Sequence, residues 1–357
     1  MGGPMLRWTA AAVVLGLAVL SGCKERDVAG GKPTAKIQVI GSTTNSNIYK
    51  ALEEPFWTQR LPQASEGRIT ADLRSIQESG LKSPQIARLL GAGALDVAYG
   101  DFASIAGDIR EFEGLDLAGV FTDLETMQKA ADAYKPVIDR IFNQHGIKLL
   151  GLFPYPEFAL YCAGEVDSLA DLKGKKVRVT VESMSEFIQQ VGGVPVVMPF
   201  PDVVPALQTG VADCAITGTY TGNRAGWGEV TDSLFTLPIG TGVSFYGYST
   251  RNWLELDASL RDLIEAEFTR FEKEAWDLTK TQTLIGIRCN TGQEGCTGGK
   301  PGHMILHAPS EADIARAHQI AREIVIPSWA KRCGRQCVEN WNATVGRVAG
   351  IQIPTAD

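Results

Sequence analysis

Hydrophobic and polar positions alternate most clearly between residues 168 and 218. In Lys176–Val181 the valines face one way while Arg178 and Thr180 face the other, a period of two that predicts a β-strand. Apolar side chains then recur at i, i+3, i+4 and i+7 over residues 184–191, which predicts a helix with one apolar face. This region therefore begins as a strand followed by a packed helix.

The same region continues with further short elements. A strand near Val194 precedes a second short helix, in which Asp202 is predicted to cap the first turn and Gly210 to end the helix. A third strand is expected within Val211–Gly218. Strand, helix, strand, helix, strand on this spacing is typical of a parallel sheet with both faces covered.

Arg178 lies inside this predicted sheet unit. An isolated buried charge costs more free energy than a fold can offset, so the guanidinium needs an anionic partner. We predict that this partner is a ligand. The alternative is a structural ion pair with an Asp or Glu of the protein itself.

Short apolar strands alternate with amphipathic helices along the rest of the chain. Strands are predicted at Lys36–Gly41, Arg68–Ile76, Leu95–Gly100, Lys148–Phe153, Ser244–Thr250 and Met304–His307. Helices are predicted at Ser46–Gln59, Ser83–Gly91, Leu124–Gly146, from Asp257 onward, and at Ile314–Ile324. Residues 282–302, rich in Gly and Cys, are predicted to be a surface insertion. The alternation predicts an α/β fold with mostly parallel, doubly wound sheet, and the length of 357 residues predicts two domains.

In sheets of this kind, ligands bind beyond the carboxyl ends of the strands. The loops that follow strands in the first half are Ser42–Asn45, Tyr99–Phe102 and Tyr155–Phe158. Asn45, Tyr99 and Phe158 are therefore candidate ligand-binding residues. The alternative for the first loop is capping of the next helix, and for the aromatic side chains it is a place in the core.

The N-terminus has the outline of an export signal. Residues 1–22 carry Arg7 as their only charge and an apolar stretch from Trp8 to Leu20, as in a signal peptide. The sequence L-S-G-C that ends at Cys23 fits a bacterial lipobox, so we predict cleavage before Cys23, a lipid on its sulfur, and a protein anchored to a membrane in the periplasm. The alternative is an ordinary secretory peptide. Residues 23–35 are predicted to form a flexible tether.

The remaining cysteines suggest disulfide bonds. Short spacing suggests the pairs Cys289–Cys296 and Cys333–Cys337. The cysteines that remain are Cys162 and Cys214. An even number of cysteines in an oxidising compartment favours disulfides. The alternative is a zinc site formed by the last four cysteines, although their spacing departs from the usual one. We predict disulfides and no metal.

Composition and motifs exclude several classes of function. A net charge of −7 argues against a nucleic-acid partner, because binding phosphates needs clustered Lys and Arg. The chain contains no G-x-S-x-G, H-E-x-x-H, G-x-x-x-x-G-K-[ST] or G-x-G-x-x-G motif. We therefore predict that the protein is not an enzyme and has no cofactor.

Three segments of the central region carry a family resemblance. Residues 171–179, 194–196 and 202–214 read D-L-K-G-K-K-V-R-V, V-P-V and D-V-V-P-A-L-Q-T-G-V-A-D-C. They resemble the solute-binding proteins of tripartite ATP-independent periplasmic (TRAP) transporters, of the dicarboxylate-binding type. The family's Glu-Val-Tyr is Asp-Val-Val here, and its Asp-Gly is Asp213-Cys214.

The resemblance implies a bilobed, periplasmic-binding-protein-like fold (type II-like) whose two lobes are joined by a hinge. Lobe 1 is expected to comprise residues 36–155 and 241–285, and lobe 2 residues 156–240 and 286–357. The resemblance also implies that the protein captures a small organic carboxylate and delivers it to the permease subunits of a TRAP transporter. The alternatives are a ligand-sensing partner of a membrane receptor and an exported enzyme.

The resemblance also implies roles for particular residues. In the family the arginine of the K-x-R-V strand pairs with the ligand carboxylate, and Arg178 holds that position. Thr217 holds the position of a polar side chain that contacts the ligand. Members that bind acidic sugars have a second arginine where this chain has Phe158, so we expect a monocarboxylate with an apolar or aromatic body. Three further candidates have polar side chains that could orient the ligand: Thr180, Thr219 and Asn45. Four have aromatic side chains that could form an apolar wall around it: Tyr99, Tyr155, Tyr220 and Trp227.

Overall fold

The computed structural model describes residues 34–46, 48–121, 123–236 and 239–354. The predicted signal peptide, the lipidation site at Cys23 and nearly all of the tether lie outside the described residues. Within the described ranges, no helix combines the length and apolar character needed to cross a membrane.

The described residues form eleven strands in two sheets. The strands are β1 Ala35–Gly41, β2 Ile69–Ser75, β3 Val97–Asp101, β4 Ile147–Pro154, β5 Phe158–Cys162, β6 Lys176–Val179, β7 Val194–Val197, β8 Cys214–Gly218, β9 Ser233–Phe235, β10 Val243–Ser249 and β11 Ile305–His307. The first sheet has the order β2-β1-β3-β10-β4, and the second has the order β11-β9-β5-β8-β6-β7. This arrangement confirms the predicted α/β fold with two sheets.

Each sheet is mixed, because one strand in each runs against the others. β10 is antiparallel to β3 and β4, and β5 is antiparallel to β8 and β9. These are the strands that the chain forms just after its first two changes of sheet, from β4 to β5 and from β9 to β10. When the chain leaves one sheet at its carboxyl edge and enters the other sheet also at the carboxyl edge, the strand it forms there must be antiparallel to its neighbours. The carboxyl edges of both sheets therefore adjoin the crossing segments.

Helices cover the sheets. They are α1 Leu61–Ala64, α2 Ile76–Ser79, α3 Ser83–Gly91, α4 Phe102–Ile105, α5 Leu124–Gln144, α6 Glu182–Gln190, α7 Val203–Gln208, α8 Thr219–Arg224, α9 Thr250–Glu255, α10 Ala258–Asn290, α11 Glu311–Ile320, α12 Ile326–Cys333, α13 Arg335–Ala343 and α14 Val345–Ala349. Tighter or wider helical turns occur at Tyr49–Glu53, Phe56–Arg60, Arg110–Leu115, Leu169–Leu172, Phe200–Asp202, Trp227–Glu229 and Ala321–Val325. The helices predicted near residues 83, 124 and 184 are present.

Two predictions about helix ends are wrong. Residues 282–290 continue α10 instead of beginning a surface insertion. Gly286 lies within α10 and does not end it. A Cβ at this position would collide with the backbone of Tyr220 in α8, so the glycine allows the two helices to pack closely. Asp202 does not cap α7, because it belongs to a 3-10 turn that runs directly into the helix and already has helical backbone angles.

Three disulfides join the six candidate cysteines. Cys162 and Cys214 occupy directly opposed positions on the antiparallel strands β5 and β8. The other two bonds close short segments: one links the end of α10 to the loop that follows it, and one links α12 to α13. Those pairs are Cys289 with Cys296 and Cys333 with Cys337.

The C-terminal helices pack beside the first sheet. Trp329 of α12 donates its indole N–H to the carbonyl oxygen of Arg110 at 2.9 Å, and Trp341 of α13 donates to that of Gly114 at 2.9 Å. α14 packs against α5, which itself covers β4. The predicted division of the chain into two lobes stays a prediction, and these contacts tie residues expected in lobe 2 to elements expected in lobe 1.

Candidate ligand-binding site

Arg178 lies within β6 and is only 3% exposed. Its Nε donates a hydrogen bond to the carbonyl oxygen of Met198 at 3.2 Å, and its Nη1 donates to that of Ile216 at 3.0 Å. Among the residues that the structure describes, no carboxylate forms an ion pair with it. The structure therefore offers no support for the alternative of an internal ion pair.

Two aromatic rings pack around this guanidinium. Its central carbon is 6.0 Å from the ring centroid of Phe200 and 5.8 Å from that of Trp227. The two rings stack on each other, with centroids 5.2 Å apart. A cation over aromatic faces is attracted by their negative charge density. Trp227 is fully buried, so in this structure it holds Arg178 in place and does not form an exposed wall.

Burial also changes the acidity of Arg178. It lowers the pKa of the guanidinium to about 10, because the desolvated cation has no opposite charge beside it. The group still carries its charge at neutral pH. A bound carboxylate would provide the counter-charge that is missing from the described part of the protein.

Thr217 lies on the same face of the second sheet as Arg178. Arg178 pairs with Ala215 across β6 and β8, and side chains two residues apart on a strand share a face. Thr217 is buried, whereas Thr180 is exposed just beyond β6 and its hydroxyl contacts the sulfur of Met184 at 3.5 Å. The structure thus places Arg178 and Thr217 on one face near the carboxyl edge of this sheet, while Thr180 lies just beyond β6 and contacts α6.

Phe158 and Thr219 line a cavity of about 210 Å³. The cavity lies between the start of β5, the start of α8 and the C-terminal part of α10, and Gly240 of the second crossing also lines it. The hydroxyl of Thr219 donates to the carbonyl oxygen of Thr283 at 3.0 Å and is therefore occupied. Pro156 and Gly218 pack closely against each other at the edge where Gly218 ends β8.

Tyr220 has a structural contact. Its hydroxyl donates to the carbonyl oxygen of Gly298 at 3.0 Å, just beyond the loop that the Cys289–Cys296 disulfide closes after α10. Asn223 and Arg224 bind the same loop through Lys300 and Gly298. Successive side chains of a helix point in different directions, so α8 directs Thr219 to the cavity and Tyr220 to the loop.

The candidates from the first sheet occupy different environments. Tyr99 is buried, and its hydroxyl lies 2.5 Å from that of Ser244, which donates to the carbonyl oxygen of Phe153 at 2.9 Å. These contacts fit the alternative of a core position. Asn45 is half-buried in the turn after β1, where its backbone N–H donates to the hydroxyl of Thr43 at 3.4 Å.

A buried acid that the sequence did not indicate supports that turn. Glu53 is fully buried, and its carboxylate accepts hydrogen bonds from the backbone N–H of Ser42 at 2.9 Å, the hydroxyl of Ser42 at 2.6 Å, and the hydroxyl of Tyr246. Burial raises its pKa. Glu53 lies in a charged stretch of a helical segment, where the default expectation is a solvated side chain. Nothing in the local pattern distinguishes it.

Asp116 is a second buried acid without a sequence signal. It is 8% exposed, and burial together with the neighbouring charges of Glu113 and Asp101 raises its pKa well above the usual range. It closes the run E-F-E-G-L-D, which contains three acids among two apolar residues. That pattern does not tell which acid is buried.

Comparison with known proteins identifies the family. The family model of DctP, described as bacterial extracellular solute-binding protein, family 7, matches residues 40–287. The chain belongs to this family. The resemblance found in the central region is therefore confirmed, and this DctP-family chain is a solute-binding protein, not an enzyme.

One curated relative matches a limited part of this family member. The ectoine-binding periplasmic protein TeaA of Halomonas elongata is 28% identical over 96 residues, which is 26% of this chain. The match spans 28% of the length of TeaA.

Solved structures match the DctP-family chain over most of its length. DctP7 of Bordetella pertussis, an extracytoplasmic solute receptor binding pyroglutamic acid, has a TM-score of 0.77 at 18% identity and covers 87% of this chain and 99% of its own. A TRAP periplasmic solute-binding protein of Rhodoferax ferrireducens with bound malonate has a TM-score of 0.73 at 19% identity, covering 88% and 99%. At this identity the likeness shows the fold, which is that of the TRAP solute-binding proteins.

Proposed function

We propose that the protein captures a small organic carboxylate outside the cytoplasm and delivers it to the membrane subunits of a TRAP transporter. Arg178 carries this proposal. It is a buried cation at the carboxyl edge of a sheet, and no described residue neutralises it. The solved relatives bind pyroglutamic acid and malonate, which are small carboxylic acids.

The hydrogen bonds of Arg178 support this role. A guanidinium has five N–H donors in one plane. Two of the nitrogens, Nε and Nη1, each donate to a backbone carbonyl, which fixes the plane of the group. The remaining donors are available to a carboxylate in a charge-assisted geometry. Thr217, on the same face as Arg178, and Thr180, just beyond β6, then orient the rest of the ligand.

Capture and release need a motion that the chain topology permits. We propose that residues 36–155 and 241–285 form one lobe and residues 156–240 and 286–357 the other, with α12, α13 and α14 of the second range packing across onto the first. Two of the three connections between the sheets, from β4 to β5 and from β9 to β10, are short and join the carboxyl edges, whereas the third runs through α9 and α10. A few dihedral changes in such segments rotate one lobe against the other and enclose the ligand.

Native mass spectrometry of freshly purified protein tests the proposal. We expect an adduct with the mass of a small acid, lost when the same sample is denatured and refolded without ligand. Extraction then identifies the acid. The proposal fails if no adduct is found and no carboxylate in a thermal-shift panel, including pyroglutamate and malonate, raises the melting temperature of the refolded protein.

The lipid anchor is a separate part of the proposal. We expect that Cys23→Ser moves the protein from the membrane fraction to the soluble periplasmic fraction, because the lipid is attached to that sulfur. Since each buried CH₂ of an acyl chain adds about 0.8 kcal/mol, loss of the anchor is expected to release nearly all of the protein. Immunoblots of fractionated cells measure the distribution. Equal membrane fractions for the variant and the wild type contradict the anchor.

A further inference from the structure

Two residues on one face of α6 bind groups that lie outside the second sheet. Ser183 and Glu186 are three positions apart on α6, the helix that begins just after the strand of Arg178. The backbone N–H of Ser183 donates to the carboxylate of Glu113 at 3.1 Å. Its hydroxyl donates to the backbone carbonyl oxygen of Asp116 at 3.1 Å. Both partners lie between β3 and β4, which are strands of the first sheet.

Helix α12 provides the other half of this contact. Arg332 donates from Nη1 to Glu186 at 2.6 Å and from Nη2 to Glu113 at 3.2 Å. The hydroxyl of Ser328 also donates to Glu186. α12 itself packs against the turn that contains Glu113, so one arginine joins an acid of α6 to an acid beside the first sheet. The α6 cluster consists of Glu113, Ser183, Glu186, Ser328 and Arg332.

The first turn of α6 depends on this cluster for an acceptor. The backbone N–H groups at the start of a helix have no partner within the helix, and Val181, which precedes the first turn, has no side-chain oxygen to cap them. Glu113 binds one of them from a segment 70 residues earlier in the chain, and it is buried. The position of α6, and of the end of the Arg178 strand before it, is therefore coupled to the first sheet.

The α6 cluster is not completely paired. Oε2 of Glu186 and Nε of Arg332 are both buried, and neither has a hydrogen-bond partner in the part of the chain that the structure describes. A buried acceptor and a buried donor without partners both cost free energy. When α6 moves away from α12, water reaches both atoms and offsets that cost. The cluster is therefore a contact that a relative motion of the two lobes can break.

We propose that the α6 cluster forms when the two lobes enclose the bound carboxylate and breaks when they separate, so that it slows release of the acid. This inference rests on the proposed function. Arg178 is 3% exposed in the structure in which the cluster is formed, which assigns the contact to the enclosed arrangement. A contact present in only one of two arrangements shifts the balance between them, and it changes the affinity for a ligand that prefers that arrangement.

Dissociation kinetics test whether the cluster is linked to binding. The probe is a radiolabelled sample of the acid extracted from the purified wild type, and its release is followed after dilution into unlabelled acid. We expect Glu113→Ala, which removes the acceptor of Ser183 and Arg332, to release the probe about 10-fold faster, with little change in the association rate. Ser183→Ala removes only the hydroxyl bond and should release it about 3-fold faster. Glu339→Ala, which removes an exposed ion pair with Arg335 on α13, is the matched control and should behave as the wild type does.

Hydrogen exchange at the amide of Ser183 gives a second readout, which a purely structural contact would not change. In the wild type this amide should exchange more slowly with the acid bound than after the acid is removed by refolding. In Glu113→Ala the acid should no longer slow it. Ser183→Ala keeps every charge of the cluster, so its release rate decides the question if Glu113→Ala does not fold.

The outcomes separate this inference from the function on which it rests. If the wild type binds no acid, the proposed function fails. If it binds the acid but the variants release it at the rate of the control, the carboxylate site stands and the role of the α6 cluster is wrong. That role is also wrong if the amide of Ser183 is equally protected with and without the acid, because the contact is then present in both arrangements.

Discussion

Arg178→Ala is expected to weaken binding of the carboxylate ligand by about 10²- to 10³-fold or more. Removing one partner of a buried ion pair costs about 3–5 kcal/mol, and about 1.4 kcal/mol corresponds to one decade of affinity. The estimate applies because Arg178 is almost completely buried and has only backbone carbonyls as partners in the described structure. Titration calorimetry with the acid recovered from the wild-type protein measures the change.

Arg178→Lys distinguishes a paired geometry from simple charge. A lysine keeps the positive charge but cannot present two parallel N–H groups, place a planar cation beside the stacked rings of Phe200 and Trp227, or reach both carbonyls in one plane. We expect it to recover little of the lost affinity. Arg347→Ala, on an exposed position of α14, is the matched control and should bind as the wild type does. Equal affinities for Arg178→Ala and the control would remove Arg178 from the site.

The local pattern predicted the central strand and the nearby helix because their signals are short-range. A period of two over Lys176–Val179 and an apolar stripe over 184–191 depend only on neighbouring residues, and both elements are present. The direction of β5 and β10 has no such local signal. It follows from the edge at which the chain enters each sheet, which only the assembled fold determines.

The positions of Gly286, Glu53 and Asp116 also differ from what their local sequence suggests, because contacts between distant segments determine them. Gly286 lies in a helix because it faces the backbone of α8, a contact between elements distant in sequence. Glu53 and Asp116 are buried by tertiary packing, although single acids in charged stretches are expected in solvent. Sequence therefore predicted the buried cation Arg178, whereas the buried acids could be found only from the structure.

The aromatic candidates show the same limit. Tyr220 and Trp227 both lie shortly after β8, so their place in the chain allowed a role in lining the ligand. The structure instead directs Tyr220 to the loop after α10 and places Trp227 against Arg178. Which way a side chain points from a short helix depends on the start of that helix, and element ends are the least predictable feature of a sequence.

The disulfide between β5 and β8 is expected to contribute about 4 kcal/mol to the free energy of unfolding. A disulfide restricts the unfolded chain more when it closes a longer loop, and Cys162 and Cys214 are 52 residues apart. The double variant Cys162→Ala/Cys214→Ala should therefore lose about 4 kcal/mol, with the loss seen as a lower midpoint of urea unfolding. Because β8 also carries Ile216 and Thr217, this bond supports the strand that holds one side of the candidate site.

The disulfide between Cys333 and Cys337 closes a short loop and provides a control, because its removal replaces the same atoms. Cys333 and Cys337 are only 4 residues apart, so the same chain-entropy relation gives about 2 kcal/mol for Cys333→Ala/Cys337→Ala. The difference of about 2 kcal/mol between the two double variants is the quantity to measure, since the replaced atoms are identical in both. Equal losses would mean that loop closure does not govern the contribution of these bonds, and that local packing around each pair does.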